Sequence, residues 1–228
     1  MKKTNIPQKQ FLSNKWAALI FLIVSFILYG NTLGSKYCLD DAIVITQNKF
    51  TQEGFRGIDD IFATESFTGF FGESKALVSG ARYRPLSIVT FAIEWQFLGE
   101  RPAISHFINI VLYFLTGLLL FLVLQQIIPL EDKKKMWVAF ISTLLFLFHP
   151  VHTEVVANIK GRDEIMALLF SLVSIYYILQ FYRENKIFKL IIAAISFFLA
   201  LLSKENAFFV IVLLPLLLYA AGHKTFAK

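Results

Sequence analysis

The chain has 228 residues, of which 57% are hydrophobic and only 17% are charged, and its formal net charge is +6. Soluble domains are on average about half apolar and a quarter charged, so this composition excludes an ordinary soluble fold and indicates a helical membrane protein. The basic residues are spread over several short loops, which argues against nucleic-acid binding and for charges that set membrane topology.

Hydrophobic segments of about 20 residues predict membrane-spanning helices. The first follows a basic N-terminal stretch without a convincing cleavage site before Gly30, so we expect an uncleaved signal anchor. Leu86–Leu98 is shorter, follows Pro85 and contains Glu94, which favours an interfacial or re-entrant helix over a span. In chain order, the six predicted spans are Trp16–Leu33, Ala103–Ile128, Met136–His152, Asp163–Tyr182, Phe188–Leu202 and Ala207–Ala221.

The distribution of charge predicts the orientation of these spans. With the N-terminus inside, the cytoplasmic segments and span edges carry 12 basic and 3 acidic residues, whereas the outer segments carry 10 basic and 13 acidic residues. Such an inside excess of positive charge is typical of membrane proteins. We therefore predict an all-α polytopic bundle, with a cytoplasmic tail at 1–15, a membrane domain at 16–222 that includes an outer loop at 34–102, and a second cytoplasmic tail at 223–228.

The outer loop contains two short segments, Ile58–Phe62 and Thr68–Gly72, that predict amphipathic helices lying with Leu86–Leu98 at the membrane surface. Charged motifs also gather at the outer ends of different spans, whereas the cytoplasmic connections are plain basic loops. Ionisable groups near membrane depth are costly and tend to mark function, which predicts one outward-facing site. The motifs are Asp40-Asp41, Arg82-Tyr83-Arg84-Pro85, His149-Pro150-Val151-His152-Thr153-Glu154, Gly161-Arg162-Asp163-Glu164 and Ser203-Lys204-Glu205-Asn206.

Two of these motifs suit a transfer reaction, although each has a structural alternative. Asp40 and Asp41 can supply a general base when a cation lies near, but adjacent carboxylates also cap surface helices. A guanidinium fits a phosphate well, and between Arg82 and Arg84 we favour Arg84, which Pro85 holds in place. The alternative for both arginines is an anchoring role at the membrane interface.

The remaining polar residues are open to local pairing. Arg162 with Asp163, and Lys204 with Glu205, can form ion pairs within their motifs, while Lys204 would also add positive charge near an anionic ligand. His106 and Asn109 predict a polar contact between helices.

The histidines of the third motif raise the question of a metal. His149 and His152 would share a helical face if a helix passed through Pro150. A divalent metal there would enlist Glu154 or Asp163, but the spacing is not that of known zinc helices, and the single cysteine, Cys38, excludes a cysteine cluster. We therefore expect no cofactor and no metal, and assign the histidines to hydrogen bonding or substrate orientation.

The order of these motifs resembles the membrane half of the transmembrane and tetratricopeptide-repeat O-mannosyltransferase family, which belongs to the GT-C glycosyltransferases. The resemblance covers roughly the six predicted spans. It implies a GT-C-like helical fold. It also implies a polyprenyl-phosphate-linked sugar donor, with a sugar such as mannose, and a protein or glycan whose hydroxyl accepts the sugar on the outer side. The residues that carry it are Leu39-Asp40-Asp41, Tyr83-Arg84-Pro85-Leu86, His106 with Asn109, the His149–Glu154 motif, Gly161-Arg162-Asp163 and Leu202-Ser203-Lys204-Glu205.

The resemblance also implies roles for single residues. Asp40 or Asp41 would be the base, and Arg84, Arg162 or Lys204 would hold the donor phosphate. The substrate-orienting residues would be His106, His149, His152, Glu154, Asp163 and Glu205.

Three other expectations follow. Complete members of the family have more spans and often C-terminal repeats, so we expect this chain to hold only part of the family's membrane region. The alternatives are a transporter, in which polar residues would continue across the bilayer, a non-catalytic lipid-handling protein, and a structural subunit, in which the motifs would stay apart. The Lys-, Ile- and Phe-rich composition favours a bacterial inner membrane, with lipids and no nucleic acid as partners.

Overall fold

The computed structural model describes residues 13–73 and 82–222, and within these ranges the regular secondary structure consists of helices. The predicted tails at 1–15 and 223–228 therefore lie almost entirely outside the described residues. Short 3₁₀ turns or a single π turn connect several of the helices. The α-helices are α1 (Asn14–Tyr29), α2 (Lys49–Gln52), α3 (Ile58–Ala63), α4 (Thr68–Phe71), α5 (Pro85–Leu98), α6 (Pro102–Ile127), α7 (Asp132–Leu147), α8 (His152–Ala157), α9 (Arg162–Glu184), α10 (Ile187–Ser203) and α11 (Phe209–Ala220).

Within the described part of the chain, three helical segments are long and apolar enough to cross a membrane: Asn14–Gly34, Pro102–Ile127 and Ile159–Glu184. At 1.5 Å per residue, the 26 residues of α6 extend about 39 Å, more than the hydrocarbon core of a bilayer. These segments confirm the all-α membrane bundle. The other three predicted spans fall on α7, α10 and α11, which have 16, 17 and 12 residues, and as membrane crossings they remain predictions.

The core of the bundle forms around α6 and α9, with α1 and α7 packed on α6 and α10 packed on α9. The ring of Phe21 lies 5.4 Å from those of Phe121 and Phe140, which joins three helices through aromatic contacts. Gly117 lets α7 approach α6, because a Cβ there would lie 2.9 Å from Leu147 Cδ2. Large apolar side chains remain exposed on the outside of the bundle, as a lipid surrounding requires.

Helices α2 to α5 cover one end of the bundle, which we call the loop end. Helices α3 and α4 confirm the helices predicted at Ile58–Phe62 and Thr68–Gly72, and α5 that at Leu86–Leu98; their place at a membrane surface stays a prediction. Asn48 fixes this layer: its side chain accepts from Thr51 N (3.2 Å) and donates to Ile43 O (3.0 Å). Gly69 packs so closely on Asn48 that a Cβ would collide with its amide.

Candidate active site

A pocket of about 250 Å³, which we call the polar pocket, opens at the loop end between the outer loop, α8 and the start of α9. All five charged motifs of the sequence contribute to it, although Asp40 and Lys204 are 164 residues apart along the chain. This convergence argues against the structural-subunit alternative, in which the motifs would stay apart. The charged residues that line the polar pocket are Asp40, Arg82, Arg84, Glu154, Lys160, Asp163, Glu164 and Lys204.

Arg84 forms the floor of the polar pocket. Its Nη1 donates to Asp163 Oδ2 (2.7 Å), its Nε donates to Glu205 Oε2 (2.9 Å), and its Nη2 contacts the second oxygen of Glu205. Burial disfavours its charge, but the two carboxylates outweigh this and raise the pKa of Arg84. Hydrogen bonds from Arg84 in turn lower the pKa of Glu205. This cluster joins the start of α5 to α9 and to the turn after α10.

The local sequence explains how Arg84 reaches this position. Pro85 occupies the first turn of α5, where the missing N–H costs nothing, and Arg84 precedes it in a non-helical conformation. The backbone N–H of Arg84 donates to Ser66 Oγ (2.8 Å). The arginine is therefore held from both its backbone and its side chain.

The adjacent carboxylates Asp40 and Asp41 have different surroundings. Asp41 is fully buried, and its oxygens accept hydrogen bonds from the backbone N–H groups of Cys38 and Lys160, both at 2.9 Å. Burial raises the pKa of Asp41, and the two backbone donors oppose this. Asp40 lines the polar pocket with 52% of its side chain exposed, and its Oδ2 lies 3.1 Å from Lys160 Nζ. Asp41 therefore ties the first outer turn to the turn before α9, while Asp40 faces the pocket.

The turn that carries these carboxylates has a strained backbone. Leu39 has a φ of 41°, in the left-handed region that branched side chains rarely adopt. The turn closes through hydrogen bonds from Asp41 N to Cys38 O (2.9 Å) and from Ala42 N to Leu39 O (3.2 Å). Such strain persists only where surrounding contacts enforce it, as those of Asp41 do here.

Arg162 does not reach the polar pocket. It is fully buried beneath it, stacked 4.3 Å from the ring centroid of Phe91, and bound by groups of α5 and α6. The ion pairs predicted within motifs are therefore not formed: Arg162 pairs with Glu94 and Asp163 pairs with Arg84. The other acceptors of the Arg162 guanidinium are Asn109 Oδ1 (2.8 Å), Thr90 Oγ1 (3.0 Å) and Ser105 O (3.0 Å).

Two lysines complete the cationic side of the polar pocket. Lys204 pairs with Glu164 of α9 rather than with its neighbour Glu205. Lys160 was not singled out by sequence reasoning, although it directly precedes the Gly161-Arg162-Asp163 motif. Gly161 brings it to Asp40 through a tight turn, since a Cβ at Gly161 would collide with the carbonyl oxygen of Val155.

The predicted substrate-orienting residues divide into two groups. Glu154 and Asp163 line the polar pocket, and Glu205 lies directly behind Arg84. The histidines lie elsewhere: His149 lines a separate cavity of about 290 Å³ between α1, α7 and α8, and His152 packs on Phe146 in a tilted arrangement with 4.3 Å between ring centroids.

The remaining histidine, His106, is buried, and neither of its ring nitrogens has a hydrogen-bond partner within the described residues. Its neighbour Asn109 makes the polar contact predicted between helices, with Arg162 and with the carbonyl oxygens of Asn158 (3.3 Å) and Ile159 (3.2 Å). Residues 13–73 and 82–222 contain no group of three or more His, Cys, Asp or Glu residues that could hold a metal ion.

A second cavity, which we call the apolar groove, continues from the polar pocket. It has a volume of about 350 Å³, lies between α9 and α11, and shares Glu164 and Lys204 with the polar pocket. Its apolar lining includes Ala167, Leu168, Leu172, Ile175, Val210 and Leu213. A charged pocket thus adjoins a groove along two apolar helices, with the Lys204–Glu164 ion pair at their boundary, an arrangement that suits a ligand with a charged head and a hydrocarbon chain.

The fold and the site define a helical integral membrane protein with a polar pocket that adjoins an apolar groove. The family described as dolichyl-phosphate-mannose-protein mannosyltransferase matches residues 90–228, well over half of the chain. The chain therefore belongs to this family. The matched range holds Glu154, Arg162, Asp163 and Lys204, whereas Asp40 and Arg84 precede it.

Similar proteins carry related names. Protein O-mannosyl-transferase TMTC1 of Homo sapiens is 33% identical over 163 residues, which are 71% of this chain and 18% of that protein. Protein O-mannosyl-transferase F38B6.6 of Caenorhabditis elegans is 31% identical over 189 residues, 82% of this chain and 26% of that protein. The chain thus spans about a quarter or less of the length of these relatives. No solved structure matches it.

Proposed function

We propose that the chain carries the site of a glycosyltransferase that moves a sugar such as mannose from a polyprenyl-phosphate donor to an acceptor hydroxyl of a protein or glycan. The observation that carries this proposal is the junction of the polar pocket with the apolar groove at Glu164 and Lys204. A polyprenyl-phosphate sugar needs both surfaces, a polar one for sugar and phosphate and an apolar one for the chain. Membership of the mannosyltransferase family supports sugar transfer as the reaction.

In this mechanism, Asp40 is the general base. Lys160 holds its Oδ2, so Oδ1 is left to accept the proton of the acceptor hydroxyl. The acceptor oxygen then attacks the anomeric carbon with inversion, and the bond from that carbon to the phosphate oxygen breaks with its electron pair on the phosphate. A positioned base typically contributes about 10²–10⁴-fold to the rate. Asp41 would position this turn rather than react, because both of its oxygens bind backbone N–H groups.

The surrounding charges would stabilise the leaving phosphate and orient the sugar. Lys204 lies where the polar pocket meets the apolar groove, and Arg84 lies in the pocket floor. Glu154, whose carboxylate has no partner within the described residues, would accept hydrogen bonds from sugar hydroxyls. Arg162 is assigned a structural role, because its donors are taken up by α5 and α6.

The transporter alternative requires polar residues that continue across the membrane. Helix α9 has no charged residue between Glu164 and Arg183, and the chain has none between Arg101 and Glu131, which includes all of α6. These two central helices therefore favour an enzyme with a site at one end. The excess of basic residues in the opposite loops supports a non-cytoplasmic loop end, and the Lys-, Ile- and Phe-rich composition supports a bacterial inner membrane.

The test is transfer by membranes that contain the full gene product, incubated with labelled polyprenyl-phosphate sugars. We expect Asp40→Asn to lower the transfer rate by at least roughly 100-fold, the lower range of a general-base contribution. Asp59→Asn, which changes an exposed carboxylate of α3, is the matched control and should keep the wild-type rate. Wild-type turnover in Asp40→Asn would remove Asp40 from the mechanism, and absence of transfer from every lipid-linked sugar would refute the proposed function.

A further inference from the structure

Among the described residues, four cations line the polar pocket, and three of them are neutralised by carboxylates. Arg84 binds both Asp163 and Glu205. Lys160 pairs with Asp40, and Lys204 pairs with Glu164. A ligand phosphate would have to compete with a carboxylate for each of these three cations.

Arg82 is the fourth cation, and its guanidinium pairs with no carboxylate within the described residues, which include all 16 acidic residues of the chain. The guanidinium carbon lies 5.8 Å from the ring centroid of Phe67, a weak contact that leaves the donors of the fork open. The carbonyl oxygen of Arg82 accepts from Ser66 N at 2.9 Å, which fixes the backbone at this position. Arg82 is thus a half-buried cation whose backbone is fixed and whose guanidinium N–H groups remain available to a ligand.

Arg82 and Arg84 both line the polar pocket, and the segment that carries them has no regular secondary structure. The side chain of Tyr83, which lies between them in the sequence, does not line the pocket. The hydroxyl of Tyr83 instead donates a hydrogen bond to Phe62 O at 2.8 Å. Both arginines therefore line the polar pocket, but Arg84 is paired with carboxylates and, within the described part of the chain, Arg82 is not.

We propose that Arg82 is the residue that binds the phosphate group of the lipid-linked donor and of the lipid phosphate product. This inference rests on the proposed function, which supplies the class of ligand. A phosphodiester carries one negative charge, which one open guanidinium can neutralise through two parallel hydrogen bonds. Arg82 lines the same pocket as Lys204, so a phosphate bound there would leave the lipid chain free to enter the apolar groove at Lys204.

Binding of a polyprenyl phosphate without sugar tests Arg82 separately from catalysis. The purified full gene product in nanodiscs would be titrated with this lipid, and with the uncharged polyprenol of the same length. We expect Arg82→Gln to weaken binding of the phosphate by roughly 10- to 100-fold, the range of a lost charge-assisted contact, with no change for the polyprenol. Arg82→Lys should restore part of the affinity, because it keeps the charge without the fork.

Arg56→Gln is the matched control, because Arg56 is an exposed arginine of the same loop outside the polar pocket. Unchanged phosphate affinity in Arg82→Gln, equal losses for phosphate and polyprenol, or no phosphate binding by the wild type would each overturn the inference. Loss of phosphate binding in Arg82→Gln, in a protein that transfers no sugar, would support Arg82 and refute the proposed function. The two ideas can therefore fail separately.

Discussion

Replacement of Arg84 by methionine should destabilise the fold, because it leaves Asp163 buried and unpaired. The side chains of Arg84 and Asp163 are 10% and 7% exposed, so their ion pair is a buried one. Removing one partner of a buried pair typically costs about 3–5 kcal/mol. The side chain of Glu205 is 59% exposed, and solvent screening limits its share to about 1 kcal/mol. We therefore expect Arg84→Met to lower the free energy of unfolding by about 3–5 kcal/mol, set mainly by Asp163.

The assay is reversible unfolding in detergent, with Arg84→Met, Asp163→Asn and the double variant compared as a double-mutant cycle. The double variant should be more stable than Arg84→Met alone, because it leaves no buried charge. Lys186→Met removes an exposed pair with Glu184 and should change stability by less than about 1 kcal/mol. An Arg84→Met variant as stable as the wild type, or additive effects in the cycle, would refute the assignment of this pair as the main contact of Arg84.

Two further predictions concern the same region. Because hydrogen bonds from Arg84 lower the pKa of Glu205 from 4.5, ionised Glu205 stabilises the fold above that pH, and this contribution is lost as the pH falls through the lowered pKa. Between about pH 6 and pH 3, the melting temperature should therefore fall less in Arg84→Met than in the wild type. An equal fall of the melting temperature in both proteins would contradict this. Gly161→Ala should lower stability by about 1–3 kcal/mol through its collision with Val155. Gly30→Ala, which meets no atom within 4 Å, is its control in the same melts, and equal stability of the two variants would count against the tight turn.

The parts of the fold that depend on local sequence could be predicted. Long apolar segments gave α1, α6 and α9 with small errors at their ends, because a span is defined by the length and composition of one stretch. The short segments Ile58–Phe62 and Thr68–Gly72 likewise appear as α3 and α4. The convergence of the charged motifs followed from topology alone, because it required only that they lie at the same end of their helices.

The ion pairs could not be predicted, because they depend on how the helices pack. Arg162 and Asp163 are neighbours on α9, but successive residues on a helix differ by about 100° in direction. Arg162 therefore meets Glu94 of α5, and Asp163 meets Arg84. In the sequence, Glu94 only argues against a membrane span. Nothing in its local sequence identifies Arg162 as its buried partner 68 residues away.

The role of each arginine can be separated by combining the two sets of variants. In the double variant of Arg84 and Asp163, the pocket loses one positive and one negative charge, so its net charge is unchanged while Arg82 and Lys204 remain. If the role of Arg84 is only structural, this double variant should regain the stability that is lost in Arg84→Met and should keep the wild-type affinity for a polyprenyl phosphate. If Arg84 itself binds the phosphate, stability would return without that affinity. The second result would assign the phosphate to Arg84, and the first would leave Arg82 as the cation that receives it.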